Sequence, residues 1–523
     1  MKTILSILVL AGVMVASAAI YPYLNVGMAG GSETSYPATE GLTLHFENGK
    51  LVASNDGTML GSNDLSNVLY MFFGLGADEN PVLAGDVNGD GAVTAVDVTL
   101  LYNVMLNNDY TDVVNGDQDG DGSITAGDVT FIYNILLGGG RSIGEVVDGY
   151  QTMWVVTGDV KWAFTTEQLD TVPYSNGTSF TAQGKTFNIA DVDQIYVNNE
   201  PIADNTVDVA YNGNTAQVIV AGNIAKYMTA SVNGAHVVAV QNADVVDEIT
   251  YTLAGSSTNG SFYQDGELKA TVRLNGLTLN NPDSAAINIR DGKRIAVELV
   301  EGTTNTLTDG EGGSQKGCFA VKGHTEFKGA GILNITGNSK NAFWGKEYVE
   351  VKKTVGEINI LGAKGDGFNI NQYYLQNGGK VTIKNVTDDG IQVSYETDDD
   401  DNIIEDEENT GEVTLKDGTL DMTMTSVGGK GIKAASNFIM LKGTLKMVQS
   451  GNLVAGDGDV DYGTCVKTGG DILIFLLSYP LPSHLLPFKY SPSNINSPLK
   501  KSYSLPFPFL NPFKYSPSNI NLP

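Results

Sequence analysis

The chain is poor in cysteine, histidine and cations. Two cysteines, Cys318 and Cys465, and four histidines are spread over 523 residues, too few for a disulfide framework or a histidine-rich metal centre. No HExxH, GxSxG or Walker loop occurs, which removes the common zinc-peptidase, serine-hydrolase and P-loop readings. Lys plus Arg is 31 against 60 Asp plus Glu, a net charge of −29. So acidic a surface disfavours nucleic acid and anionic lipid and favours bound cations, Ca²⁺ first among them. Proline is scarce before residue 471 and then abundant: ten of 16 fall in 471–523, which holds no glycine and one acid, Asp471. Such proline density blocks helix and sheet ladders, so 471–523 is expected to be a non-globular tail behind a truncated fold.

Glycine, by contrast, is plentiful at 62 residues. With many Asn, Thr and Asp it points to a turn-rich, mainly β protein of several domains. Residues 1–18 read as a signal peptide: Lys2, an apolar run from Ile4 to Val15, and Ala16-Ser17-Ala18 as the cleavage site. Secretion is the expectation, to the exterior or cell surface, with no membrane span left after cleavage.

Two segments within 80–140 repeat at an offset of 31. The first places Asp86, Asn88, Asp90, Ala92, Thr94 and Asp97 on a loop; the second places Asp117, Asp119, Asp121, Ser123, Thr125 and Asp128. Oxygen donors at positions 1, 3, 5 and 12, glycine at 6 and a carbonyl at 7 are the spacing of a Ca²⁺ loop. An apolar helix follows each loop, and no Lys or Arg occurs between Lys50 and Arg141 to neutralise the carboxylates. The pair resembles a type I dockerin, a small all-α module with duplicated Ca²⁺ loops. That resemblance implies a cohesin partner, although positions 10 and 11 (Ala95-Val96, Ala126-Gly127) lack the hydroxyls that cohesin-reading dockerins often carry.

On either side lie small β units, over 22–75 and 150–247. Residues 42–73 and 178–197 share one plan, a hairpin and then a short segment leading to Tyr70 or Tyr196. They resemble short β modules of secreted Bacteroidota proteins and are read as scaffolding.

From 248 to 465 the chain repeats at roughly 24 residues, as repeat architectures do. Ile287, Phe319, Phe343, Phe368, Ile391 and Ile432 mark equivalent positions, separated by 32, 24, 25, 23 and 41 residues; the last interval holds the acidic insert 396–408, read as a surface loop. Short alternating strands, glycine corners and this period predict a right-handed parallel β-helix (solenoid). Alternation sends those six residues inward. It sends two columns outward: Asn288, Ala320, Trp344, Asn369, Gln392, Lys433 and Arg290, Lys322, Lys346, Asn371, Ser394, Ala435. A small residue, Cys318 among them, precedes each inward position, and Cys465 is placed beyond the last coil, out of disulfide reach.

Arg290, Lys322 and Lys346, with Trp344, Asn369, Asn371 and Gln392, are the expected binding face for an anionic polysaccharide: cations for uronate carboxylates, amides for hydroxyls, an indole for a sugar face. The repeated D-G-[IF] and K-G-I corners between strands of the GEITI kind resemble a calcium-containing β-helix carbohydrate-binding family that binds polygalacturonate. The resemblance implies binding without cleavage, with Asp366 and Asp389 near Ca²⁺ and Asp388 beside them. The corners at 285, 317 and 430 lack that acid. A lyase or glycosidase on the same fold is the rival, and a structural surface protein the third reading.

Overall fold

The computed structural model describes residues 23–74, 85–136 and 152–475, less short stretches inside them, and two three-residue strands at 488–490 and 519–521. The signal-peptide segment, most of the tail and loop residues Asp90, Ala92, Asp119, Asp121 and Ser123 lie outside the described residues. No described helix is long and apolar enough to cross a membrane. The chain divides into two units, one of 1–156 with 163–202 and one of 157–162 with 203–523.

In the first unit the β segments are antiparallel. Tyr23–Met28 pairs with Glu33–Pro37 and Val68–Gly74. The two hairpins of shared plan turn on Asn48-Gly49 (φ 49° and 74°) and Gln183-Gly184 (φ 48° and 82°). Positive φ at both central residues is the primed turn that matches strand twist, which explains Asn and Gly there. The two segments are not separate units: Gln194–Asn198 pairs with Leu42–Glu47 as well as with Thr152–Thr157. Helices α1 (Ala95–Asn107) and α2 (Ala126–Leu136) follow the two loops. Their core is Val87, Val98, Leu101, Val129 and Ile132. Val98 and Leu101 sit 31 residues before Val129 and Ile132, so the sequence repeat becomes a repeat in packing.

The second unit is built of three parallel ladders. One runs Ala235–Gln241, Gly260–Asp265, Ile287–Ile289, Gly317–Val321, Asn341–Gly345, Phe368–Asn371, Ile391–Ser394, Lys430–Ala434 and Thr464–Thr468. The second begins at Thr206–Asn212 and ends at Ile472–Ile474. The third links Ala270–Asn281 to Thr444–Gln449. From Ile287 onward the chain visits the ladders in the same order at each repeat.

The first ladder aligns Ile287, Phe319, Phe343, Phe368, Ile391 and Ile432 in register, all fully buried. Phe343 meets Phe319 edge-to-face at 5.4 Å and Phe368 at a tilt at 5.6 Å, and Phe327 joins from the second ladder, 5.5 Å from Phe343. Each such side chain contributes about 1.5–3 kcal/mol by leaving water.

The ladders extend beyond 248–465 at both ends: Thr206–Asn212 and Ala235–Gln241 already pair in parallel with later strands, and Ile472–Ile474 pairs in parallel with Phe438–Met440. Cys465 therefore lies within a ladder strand, buried and free like Cys318. The tail supplies backbone pairing after all: Phe488–Tyr490 lies antiparallel to Ile472–Ile474, and Asn519–Asn521 to Thr444–Gln449.

Candidate functional site

In the paired loops, the described ligand positions lie in or beside buried backbone. Asp97 is fully buried; its Oδ1 accepts from the Val87 N–H at 2.8 Å and its Oδ2 from the Thr94 N–H at 2.8 Å. Thr94 and Asp97 thus form the capping box that starts α1. In the second loop Asp128, also fully buried, accepts from the Thr125 N–H at 2.7 Å. Asp86 Oδ1 accepts from the Gly89 N–H at 2.8 Å; Asn88 and Asp117 are half-buried at the loop edge. Buried carboxylates on a stretch without cations fit a hard divalent ion, because their desolvated charge needs a counter-ion. Calcium bound there would neutralise the loops and join each to its helix. At position 11 Val96 is more than half exposed, and Tyr102, Met105 and Leu106 of α1 also face solvent.

On the first ladder the outward column runs Val238, Tyr263, Asn288, Ala320, Trp344, Asn369, Gln392, Lys433 and Lys467 in register. Sequence reasoning missed Tyr263, whose strand precedes the first aligned repeat. The second column continues by backbone bonds: the Arg290, Lys322, Lys346 and Ala435 N–H groups donate to Gln264, Ile289, Val321 and Val393 carbonyls, and Asn371 pairs with Ser394.

The cations of this face differ. Arg290 and Lys322 have no carboxylate within ion-pair reach among the described residues, whereas Arg273 and Lys328 share Glu298, and Lys352 pairs with Glu326 and Glu350. Lys346 is not free, since its Nζ lies 3.1 Å from Glu396 Oε1. Nor is Trp344 bare on both faces: the Lys316 ammonium sits 4.4 Å from its ring centroid.

The Asp corners form their own series. Asn341 Oδ1 accepts from the Asp366 N–H, Asp366 Oδ1 from the Asp389 N–H and Asp389 Oδ1 from the Lys430 N–H, at 2.9, 2.9 and 2.8 Å. Each corner side chain thus braces the next repeat. The second oxygens differ: Asn369 donates to Asp366 Oδ2 at 2.6 Å, whereas Asp389 Oδ2 is buried and accepts no hydrogen bond, with the Lys433 ammonium 3.2 Å away as an ion pair. Exposed Asp388 completes a trio in which one oxygen from each carboxylate lies within 4.8 Å of the others. Burial, reinforced by Asp388 and Asp389 against the Asn369 hydrogen bond, pushes the Asp366 carboxyl up to about 6. Three carboxylates fit a hard divalent cation, which here competes with Lys433. An open cleft of about 430 Å³, lined by Asn385, Val386, Thr387, Thr425, Ser426 and Val427, adjoins the trio; the Ser426 hydroxyl donates to the Asp388 carbonyl at 3.0 Å.

The other feature that the sequence hid is where the acidic insert goes. Glu396 and Glu408, at its two ends, reach Lys346 and His324, and Glu408 shares the His324 Nε2 with Glu347, both at 3.1 Å. Fifty residues separate Lys346 from Glu396 and 84 separate His324 from Glu408, and no local pattern announces either contact.

Residues 238–474 match a family model described as carbohydrate-binding domain-containing protein, and 84–137 match the type I dockerin domain. A carbohydrate-binding domain-containing protein of Acetivibrio thermocellus is 28% identical over 120 residues, 21% of this chain and 41% of that protein. The chain thus spans about two fifths of the length of the curated relative it matches. A solved structure titled polysaccharide lyase-like protein from C. thermocellum, gadolinium derivative, is 20% identical and covers 51% of this chain and 96% of that one, at a TM-score of 0.40. That likeness is too distant to bear on this chain's chemistry.

Proposed function

We propose that this is a secreted, non-catalytic polysaccharide-binding protein whose three ladders close into a right-handed parallel β-helix and whose dockerin region tethers it to a cohesin. The observation that carries the reading is the first ladder's outward face. Arg290 and Lys322, with no carboxylate in ion-pair reach among the described residues, stand beside a column with two aromatics, Tyr263 and Trp344, and the amides of Asn288, Asn369 and Gln392. At ~4.8 Å per strand Tyr263 and Trp344 lie roughly 14 Å apart. Cations read carboxylates, amides read hydroxyls and aromatic faces take sugar rings, so a polyuronate such as polygalacturonate fits best.

Two kinds of calcium site belong to this reading. The dockerin loops use the ion to fold, through Asp86, Asn88, Asp90, Thr94, Asp97 and their partners Asp117, Asp119, Asp121, Thr125 and Asp128, with the Ala92 and Ser123 carbonyls. At the corner, Asp366, Asp388 and Asp389 would hold a cation that bridges to a uronate in the adjoining cleft. The matches to a carbohydrate-binding family and to the type I dockerin support the two halves of the proposal.

A panel of pectins, polygalacturonate and neutral glucans, with and without chelator, tests it by following binding and unsaturated product together. Polygalacturonate retention without product is expected. Unsaturated ends would make the protein a lyase, and equal retention of neutral glucan would remove the polyuronate assignment.

A further inference from the structure

The insert 396–408 carries nine carboxylates and no cation. It is a folded loop: Asn409 Nδ2 donates to the Glu396 and Ile404 carbonyls at 2.9 and 2.7 Å, the Glu396 N–H donates to Asn409 Oδ1 at 2.8 Å, and Thr397 bridges Ile403. It rests on the ladder at two points. Glu396, almost fully buried, places Oε1 on the Lys346 ammonium and accepts from Gln372 Nε2 at 2.8 Å. Glu408 reaches His324, whose ring stacks on Tyr348 (4.1 Å), which in turn stacks on Tyr373 (4.6 Å). A polyanionic segment of the chain itself therefore pairs with one member of the cationic column, whose side chain stays 43% exposed.

We propose that the insert is a tethered competitor for the polyanion face: Glu396 occupies Lys346 until a polyuronate displaces it, and the second anchor, Glu408 with His324 and Glu347, loosens as pH rises through neutrality. This rests on the polyuronate reading above. The groups facing Glu347 are Glu396, Glu408, Lys346 and His324; around Tyr348 and Tyr373 stand Glu326, Glu350, Glu408 and Arg294. Burial first, then Glu396 and Glu408 against Lys346, push the Glu347 carboxyl up to about 7. Below that pH Glu347 is neutral and does not repel its neighbours. Above it three carboxylates, Glu347, Glu396 and Glu408, crowd the Lys346 ammonium and repel one another. The insert is therefore held best in mild acid.

The test uses the full chain, its Glu396→Gln variant and polygalacturonate, at pH 6 and pH 8. Glu396→Gln keeps an acceptor for Gln372 and removes only the charge on Lys346. The variant should bind polygalacturonate about 3-fold more tightly at pH 6, while the parent gains a similar factor between pH 6 and pH 8. Acylation of Lys346 by an amine-reactive ester, read by mass spectrometry relative to Lys322 in the same molecule, should rise by about the same factor in the variant. Unchanged affinity and unchanged Lys346 labelling would overturn the proposal. If neither chain binds polygalacturonate, the polyuronate reading fails, and a flat Lys346-to-Lys322 ratio across variant and pH would sink the latch as well.

Discussion

Aspartate does opposite work in the dockerin loops and at the ladder corners. In the loops Asp86, Asp97 and Asp128 are buried on a stretch with no Lys or Arg for ninety residues. At the corners Asp366 and Asp389 are also buried, but each braces the backbone of the next repeat, and Lys433 faces Asp389. The loops lie on a stretch of sequence that offers no Lys or Arg of its own. The corners have one cation of the chain, Lys433 beside Asp389, and amide and backbone donors to Asp366. Calcium is therefore expected to decide whether the first region folds and only to tune the second.

The largest effect should follow from removing the ion or its ligands in the loops. With Asp86→Ala and Asp117→Ala, or with excess chelator, the helical far-UV signal of 85–136 should disappear, because metal binding supplies the folding free energy there. The transition of the ladders should survive. Helicity that persists in chelator would erase the contrast between the two regions.

Next in size is a change that ions do not touch. Phe343 lies fully buried against Phe319, Phe327 and Phe368. Phe343→Ala should cost roughly 3–5 kcal/mol in denaturant unfolding of the ladders, equally with and without calcium. A cost that vanished in chelator would mean that the ladders too depend on metal.

A smaller effect separates bracing from charge. The preceding corner carries Asn341, so Asp366→Asn keeps an acceptor for the Asp389 N–H. Because burial raises the Asp366 carboxyl to about 6, the folded chain holds that proton more tightly than the unfolded one. Its stabilising effect is full below about pH 4 and lost as pH rises through about 6. Asp366→Asn should therefore raise the calcium-free stability of the ladders at pH 7 by roughly 1 kcal/mol and flatten its pH dependence between 4 and 6. A drop in stability would show that the carboxylate itself, held by a cation, is needed at the corner.

The same contrast explains what could be read from the sequence. The dockerin region was legible because its two segments repeat at a fixed offset, and the inward column because of its period and the small residue before each member. The register of Asn288, Ala320, Trp344, Asn369, Gln392 and Lys433 followed from alternation alone. Three things did not. The first ladder strands, from 206 to 241, are interleaved with antiparallel hairpins, which hides their period and left Tyr263 out of the column. The pairing of Lys346 with Glu396, and of Lys433 with Asp389, depends on side-chain reach across repeats rather than on spacing. The stacking of His324, Tyr348 and Tyr373 beneath the insert joins residues that share no local motif.

The most direct test of the account is the affinity for polygalacturonate of the parent chain and of the Arg290→Gln, Lys322→Gln double variant, measured at low and moderate salt in calcium. Two cations with no ion-pair partner among the described residues, each worth roughly 0.5–1 kcal/mol in a solvent-exposed column, predict a loss of about 10-fold at low salt, a flatter salt dependence and no change for a neutral glucan. Equal affinity of the two proteins for polygalacturonate would contradict the assignment of this face as the binding surface.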